Sequence, residues 1–244
     1  AGFDVCLRQP REARGGGSTH AQPTFLVLRQ QAAANDGEVD RQGQVAQQLA
    51  AADRDQLGAR LVGLECPAVA GAAAVARLGE VGTMADSPAL ATRLHDDDDG
   101  VRQLAGAALW LVWSRSGDPA IDRLFTQGVD QMGSGRLRAA LATFNRVVQR
   151  KPAFAEGWNK RATVRFLLGE HGASLRDCEQ TLKLNPLHFA ALSGMAQIHL
   201  ARGDLEAALQ AWRRALAANP NLDDGAERLE QLEEAVRRQG GLRT

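Results

Sequence analysis

The chain of 244 residues contains no tyrosine, three lysines, two isoleucines and three cysteines. Alanine, glycine and arginine are abundant instead, a bias that a GC-rich genome explains. The cysteines, Cys6, Cys66 and Cys178, are far apart in the sequence and form no Cys-x-x-Cys pair. Structural zinc sites and disulfide frameworks need closely spaced or paired cysteines. Neither is therefore expected, and the cysteine usage fits an intracellular reducing compartment.

An excess of charge and a long apolar run are also lacking. Basic and acidic residues number 29 each, so the chain as a whole does not attract a phosphate backbone, and nucleic acid is not an expected partner. A membrane-spanning helix needs about 20 apolar residues. Because the richest apolar run, residues 104–113, is much shorter than that, no membrane span is expected.

A period of 34 residues dominates the second half of the chain. Four residue types recur in register: Gly135, Gly169 and Gly203; Ala139, Ala173 and Ala207; Leu141, Leu175 and Leu209; and Pro152, Pro186 and Pro220. This period is the length of one helix-turn-helix unit. Each such unit buries its apolar face against its neighbours, so the pattern predicts a stack of helical hairpins. Such stacks usually bind partners and seldom carry out chemistry.

Small and large residues also recur where two helices must approach each other. The small ones are Gly128, Ala162, Ala196, Ala140, Ser174 and Ala208, and the large or intermediate ones are Phe144, Cys178 and Trp212. Together with the period, these residues resemble tetratricopeptide repeats over residues 118–222. The resemblance implies an all-α, right-handed solenoid of three repeats, followed by a capping helix and tail at residues 223–244. The tyrosine position of the repeat instead holds Gln131, Arg165 and His199.

The first half of the chain is less regular. Residues 1–37 have no hydrophobic period and are expected to form an extended arm, while residues 38–117 show helical spacing. We expect helices over residues 38–64 and 68–78, the latter ended by a turn at residues 79–82, and a further helix capped by Ser87. An aspartate-rich turn followed by Val101, Arg102, Ala105 and the Ala108-Leu109 pair resembles a HEAT repeat. That resemblance implies a helical hairpin ahead of the repeats.

No residue cluster has the spacing that catalysis or metal binding requires. If Gly100 were the glycine of a calcium loop, His95 would be the first ligand and Gly106 would stand where a bidentate carboxylate is needed. We therefore interpret the aspartates at residues 96–99 as negative charge that favours the start of a helix. The glycines at residues 15–17 lack the lysine of a phosphate-binding loop. Cys178 is expected to be a small buried residue, and Trp110 and Trp113 to seal the junction between the two halves. We expect no enzyme activity, metal or cofactor.

The resemblance to tetratricopeptide repeats also implies that the first helix of each repeat lines a concave surface. The residues expected to bind a partner there are Phe125, Val129, Met132, Asn159, Lys160, Thr163, Phe166, Gln197 and Leu200. Family members that hold the carboxylate of chaperone tails use basic and amide side chains at set positions. Apolar or small residues occupy those positions here, except at Lys160, so the carboxylate clamp is absent. An apolar or amphipathic segment is the expected ligand.

The sequence therefore predicts a non-catalytic scaffold or adaptor that binds protein partners, within a larger complex. A permanent structural subunit of a large assembly and an RNA-associated helical-repeat protein are the alternatives. Phe125→Glu or Phe166→Glu is expected to abolish partner capture. The sequence leaves open whether the groove is filled by the chain's own arm or capping helix.

Overall fold

The computed structural model describes residues 68–241, with side chains for residues 71–239. In that part of the chain all regular structure is helical, which confirms the predicted all-α fold there. The α-helices are α1 (Ala68–Val81), α2 (Ser87–Thr92), α3 (Asp99–Trp113), α4 (Pro119–Gly133), α5 (Leu137–Arg150), α6 (Ala155–Leu167), α7 (His171–Leu184), α8 (Phe189–Ala201), α9 (Leu205–Ala218) and α10 (Gly225–Gly241). The arm expected at residues 1–37 and the helix expected at residues 38–64 lie outside the described residues.

Helices α1 to α3 form one unit, the N-terminal unit, in which α1 lies alongside α3. The prediction of a turn at residues 79–82 is wrong, because α1 continues through Gly79 to Val81. A Cβ atom on Gly79 would stand 3.1 Å from the Cα of Ala108 on α3. The glycine is therefore needed for helix-to-helix contact, not for a turn.

The start of α2 also differs from the expectation. Ser87 is the first helical residue, and Asp86 occupies the N-cap position. The Ser87 hydroxyl instead accepts a hydrogen bond of 3.0 Å from the indole N–H of Trp113, and both side chains are buried. A buried indole N–H requires such a partner, so this serine joins the two ends of the α2–α3 hairpin.

The aspartates at residues 96–99 begin α3, as expected. The Asp98 carboxylate caps the helix by accepting a hydrogen bond of 3.0 Å from the Val101 N–H. Arg102 donates to the carbonyl oxygens of Asp96 and Asp97 and pairs with the Asp99 carboxylate. The run therefore serves as a helix start whose negative charge favours the helix N-terminus.

The 34-residue period corresponds to three helical hairpins: α4–α5, α6–α7 and α8–α9, called repeats 1, 2 and 3 below. Between the helices of each hairpin stand Gly135, Gly169 and Gly203, with φ of +71°, +78° and +80°. Residues other than glycine rarely adopt these left-handed angles. The recurring glycine is thus the residue that lets the chain reverse direction in each repeat.

Hairpin packing explains the small residues in the same register. A Cβ atom on Gly128 would come within 2.7 Å of the Phe144 ring, which is fully buried. In repeat 2 the Ser174 hydroxyl donates a hydrogen bond of 2.7 Å to the carbonyl oxygen of Ala162. Only small side chains permit these approaches, and the larger residues fill the remaining space.

The polar residues at the tyrosine position of repeats 1 and 2 find partners on the second helix of their own hairpin. Thr143 donates a hydrogen bond of 2.7 Å to Gln131, and Arg165 donates one of 2.8 Å to Asp177. Thr143 and Asp177 are themselves 34 residues apart. The two repeats thus replace one large aromatic residue by matched polar pairs at equivalent positions.

Helix α10 covers the open end of repeat 3. Leu232 packs against Trp212 of α9, whose indole N–H donates a hydrogen bond of 3.1 Å to the Gly225 carbonyl oxygen. The helix covers Gly225–Gly241, within the range expected for the capping helix and tail. This arrangement agrees with the predicted capping role, because a polar outer face at the end of a stack keeps it soluble.

Candidate functional site

Trp110 and Trp113 join the N-terminal unit to repeats 2 and 3. The Trp113 ring stacks on His188 with centroids 4.6 Å apart, and the Trp110 ring meets Phe189 edge-on at 5.7 Å. Phe189 and Ala190 of α8 are buried in the same apolar core as Leu109 and Val112 of α3. The tryptophans therefore seal the junction of the two halves, as the sequence predicts.

A charged network is buried beneath this aromatic layer. Glu156, which is fully buried, accepts a hydrogen bond of 3.1 Å from Asn159 and lies 2.7 Å from Nε2 of His188. The Lys160 ammonium lies 3.2 Å from the other carboxylate oxygen and 5.4 Å from the centre of the Trp110 ring. Buried ions need such partners, and every partner of Glu156 comes from α6 or from the residue before α8.

The protonation states in this network follow from its hydrogen bonds. Nδ1 of His188 accepts a hydrogen bond of 3.2 Å from the Ala191 N–H, so its ring proton lies on Nε2 and is donated to Glu156. Burial, the largest single influence, raises the pKa of Glu156. The Lys160 ammonium and His188 together outweigh it, and the pKa ends below its ordinary value. Glu156 is therefore an ionised carboxylate inside the junction.

A shallow surface depression lies between α6 and α8, with its floor on α7, and its cavity volume is about 20 Å³. We call it the groove. It is lined by Asn159, Ala162, Thr163, Phe166, Leu167, Ser174, Cys178, Ala190, Gly194, Gln197 and Ile198. Most of these side chains are apolar or small, so the groove has the chemistry of a surface that buries apolar groups.

Four polar side chains, those of Asn159, Thr163, Ser174 and Gln197, interrupt the apolar lining. Thr163 donates its hydroxyl to the Asn159 carbonyl oxygen at 3.1 Å, and the Asn159 amide is held by Glu156. In the described part of the chain, the buried amide nitrogen of Gln197 has no hydrogen-bond partner. Buried amides are normally paired, so the amide nitrogen of Gln197 is an unsatisfied donor in the wall of the groove.

Only some of the predicted binding residues line the groove. Asn159, Thr163, Phe166 and Gln197 line the groove together. Lys160 lies beside it, but its ammonium is committed to Glu156. Partner binding by these residues stays a prediction.

The other predicted binding residues do not line the groove, and those in repeat 1 are packed inside that repeat. Phe125 is 6% exposed and Met132 is 8% exposed, because both pack inside repeat 1, where the Phe125 ring contacts Phe144 and Phe154. Val129 is half-buried against the same cluster. Leu200 is exposed but lies outside the groove lining. The open surface therefore covers repeats 2 and 3, not all three repeats.

The floor of the groove is what the sequence reasoning missed. Ala162, Ser174, Cys178 and Ile198 line it. The sequence pattern assigns the first three to helix packing alone and gives Ile198 no role. Cys178 is buried, as expected, and Gly194 stands opposite it, where a Cβ atom would lie 3.8 Å from its sulfur. A glycine at an inward-facing position flanked by small packing residues was the available signal for an open floor.

The described residues form neither a metal-ligand cluster nor a membrane-spanning helix. Among the residues described, no group of three or more His, Cys, Asp or Glu side chains is placed to hold a metal ion. No helix within the described part is both long enough and apolar enough to cross a membrane.

Stacked helical hairpins with a concave groove define an α-solenoid repeat protein. Tetratricopeptide repeat models match residues 125–178 and 168–223. Residues 125–223 therefore match the tetratricopeptide repeat family, in agreement with the resemblance that the 34-residue period predicts. The matches do not extend to the N-terminal unit, for which the HEAT-like interpretation stays a prediction.

A curated relative is a TPR repeat-containing protein of Rhizobium etli, 36% identical over 126 residues. The match covers 52% of this chain and 62% of the relative, so the chain spans less than two thirds of that protein. Among solved structures, the Sgt2 TPR domain from Aspergillus fumigatus is 20% identical, with a TM-score of 0.48 over 50% of this chain and 83% of that chain. The first TPR domain of Spaghetti (RPAP3), bound to an HSP90 peptide, is 21% identical, with a TM-score of 0.46 over 48% of this chain and 93% of that chain.

Proposed function

We propose that the chain is a non-catalytic adaptor that holds an apolar or amphipathic protein segment in the groove of repeats 2 and 3. The observation that carries the proposal is the open apolar surface between α6 and α8, with an unpartnered Gln197 amide in its lining. A backbone carbonyl of the bound segment would accept the hydrogen bond that Gln197 has free. Apolar side chains of the segment would contact Phe166, Leu167 and Ile198.

Gly194 makes the groove accessible. It lies on α8 between Ala190 and Gln197, and its missing side chain leaves the space above Cys178 open. Any large residue at position 194 would project into the groove. Affinity in such surfaces comes from a few well-packed anchors rather than from total area, so filling this space should remove most of the binding.

The experiment uses the full chain as bait for a phage-displayed library of random short peptides. Peptides that are enriched are synthesised with a fluorescent label and titrated against the wild type and Gly194→Phe by fluorescence anisotropy. We expect the enriched peptides to be rich in apolar residues and to lose their affinity for Gly194→Phe. Circular dichroism checks that the variant keeps its helical content.

Gly172→Phe is the matched control. Gly172 lies in the first turn of α7, it is exposed, and a Cβ atom there would meet only the end of the Arg176 side chain at 3.9 Å. The same substitution is thus made away from the groove and should leave binding unchanged. Equal binding of the enriched peptides to wild type and Gly194→Phe would refute the groove as the binding site.

A second candidate function, association with RNA, is supported by one local feature. Residues 136–151 carry five basic side chains and no acidic one: Arg136, Arg138, Arg146, Arg150 and Lys151. None of the five forms an ion pair within the described residues. A gel shift of a polyuridine RNA that weakens with salt and disappears in Arg146→Glu/Arg150→Glu would support this candidate. No shift at low salt would exclude it.

A further inference from the structure

A second depression of about 160 Å³, which we call the junction pocket, shares a lining residue with the groove. Ala190 lines both. The other residues of the junction pocket are Trp110, Phe189, Ser193, Asn219, Asn221, Leu222 and Asp223. Its walls therefore come from the N-terminal unit, from the first turns of α8 and from the linker between α9 and α10. A stack of repeats without the N-terminal unit would lack the Trp110 wall.

Hydrogen bonds and ring contacts hold these walls in place. The Asn221 side chain donates a hydrogen bond of 2.6 Å to the Leu94 carbonyl oxygen, which ties the linker to the N-terminal unit. The Asn219 side-chain oxygen accepts from the Asn221 backbone N–H at 2.9 Å. The Trp110 ring is held by Trp113, His188 and Phe189. The pocket is thus preformed, which lowers the entropic cost of filling it.

The lining of the pocket includes one carboxylate, that of Asp223, and Asp224 follows it in the chain. The Asn221–Leu94 hydrogen bond joins the linker to the segment that continues, two residues later, into the aspartates at residues 96–99. Asp96 and Asp99 are paired with arginines. In the described part of the chain, Asp97, Asp98, Asp223 and Asp224 have no ion pair.

Positive charge near the pocket is smaller. The N-terminus of α8 is equivalent to roughly half a unit charge, and His188 already accepts one of its N–H groups. Lys160 lies behind Trp110, and its charge is neutralised by Glu156. The Asp223 carboxylate, with a full unit of negative charge, therefore outweighs the helix terminus, and the pocket favours a cation over an anion.

We propose that the junction pocket binds a lysine or arginine side chain of the segment whose apolar residues lie in the groove. This inference rests on the proposed function and adds that the bound segment carries a positive charge. The cation would contact the Asp223 carboxylate, the amide oxygens of the asparagine linker and the Trp110 ring, all of which attract positive charge.

The distance along α8 sets the spacing of the partner motif. Gln197 and Ala190 are seven residues apart on the helix, or about 10 Å at 1.5 Å per residue. An extended peptide covers about 3.3 Å per residue, so the basic residue stands about three positions along the peptide from an apolar anchor at Gln197. The partner is thus an apolar segment that ends in a basic residue, the opposite charge to an acidic chaperone tail.

The test uses the full chain and one fluorescent peptide, acetyl-Leu-Val-Phe-Ala-Ala-Arg-Gly-amide, with the arginine replaced by glutamine or glutamate in two further peptides. Anisotropy titrations should show that glutamine weakens binding about five-fold, as expected for a partly exposed ion pair, and that glutamate weakens it further. Asp223→Asn should remove the preference for arginine while leaving the affinity for the glutamine peptide unchanged. Glu206→Gln, an exposed acidic residue on α9, is the control and should keep the preference.

The outcomes separate this inference from the proposed function. Peptides that bind the wild type, fail to bind Gly194→Phe and show no preference for arginine would overturn the junction pocket alone. No binding by any of the peptides would overturn both.

Residues 25–29 of the chain, Phe-Leu-Val-Leu-Arg, carry the same chemistry as the peptide. If Phe25→Asp/Arg29→Asp bound the peptide at least ten-fold more tightly than the wild type, the chain's own segment would be the occupant, and a separate partner would be ruled out.

Discussion

Repeat 1 and the junction use equivalent positions of the 34-residue register in opposite ways. At the boundary of repeats 1 and 2, the rings of Phe125 and Phe154 pack against each other with centroids 5.2 Å apart. At the boundary of repeats 2 and 3, the same two positions hold Asn159 and His188, which both bind Glu156. One boundary is an apolar core, and the other is a buried charged network.

The difference teaches what the N-terminal unit does for the stack. A carboxylate inside a protein needs partners and cover from water. Here Lys160 and His188 are the partners, while Trp110 and Trp113 provide the cover. The polar boundary thus occurs where a second unit docks, and the apolar boundary occurs where the repeats pack only against each other. The residues at the polar boundary do not pack against each other as the two rings at the apolar boundary do, so the groove remains open beside them.

The largest expected effect concerns the apolar boundary. Phe125→Ala should lower the free energy of unfolding by about 4 kcal/mol, since it removes a buried ring and leaves a cavity. Urea denaturation followed by circular dichroism measures this. Phe125→Glu should prevent repeat 1 from folding, so a loss of partner capture in that variant would report on folding. A change below about 1 kcal/mol for Phe125→Ala would mean that the ring contributes little to the core.

The charged boundary should respond to Glu156→Ala with a loss of about 3 kcal/mol at neutral pH. The substitution leaves the Lys160 ammonium next to Trp110 without its carboxylate and removes the acceptor for His188. Breaking a buried pair from one side is costly. The same urea series measures the effect.

A double substitution sharpens the second prediction. Glu156→Gln/Lys160→Met removes both charges and should recover much of the stability that Glu156→Gln alone loses. If the single and double variants were equally unstable, the lost stability would come from packing and not from the unpaired ammonium. Lys183→Met, on the exposed side of α7, controls for the loss of a lysine in general.

A fall in pH should destabilise the charged boundary and not the apolar boundary. This effect should be smaller than those of the substitutions above. The pKa of Glu156 is lower in the fold than its ordinary value of 4.5, so the ionised carboxylate stabilises the fold above that pH. This contribution is lost as the pH falls through the folded-state pKa. Urea midpoints from pH 7 to about pH 3 should therefore fall less steeply in Glu156→Gln than in the wild type. Phe125→Ala should keep the wild-type slope, and identical slopes in all three proteins would contradict the assignment.

The sequence predicted the repeats well because their constraints are local. A left-handed turn needs Gly169, and close helix contact needs Gly128, whatever lies elsewhere in the chain. The inward face was predicted less well. Whether Phe125 points into a groove or into a core depends on Phe154, and whether Lys160 is available depends on Glu156 and Trp110. These contacts join elements whose relative placement no local pattern specifies.

The smallest expected effect on stability comes from a substitution in the groove, and it tests whether the space above Cys178 is empty. Gly194→Ala should raise the free energy of unfolding by about 0.5–1 kcal/mol, because alanine favours a helix over glycine and the new Cβ atom meets the Cys178 sulfur at an ordinary 3.8 Å. Gly128→Ala, on the equivalent helix of repeat 1, should have the opposite sign, since its Cβ atom would lie 2.7 Å from the Phe144 ring. Urea denaturation of both variants compares an open surface with a filled core through the same substitution. A destabilising Gly194→Ala would mean that the space above Cys178 is already occupied in the folded chain, and the proposed partner would then have to displace that occupant before it could bind.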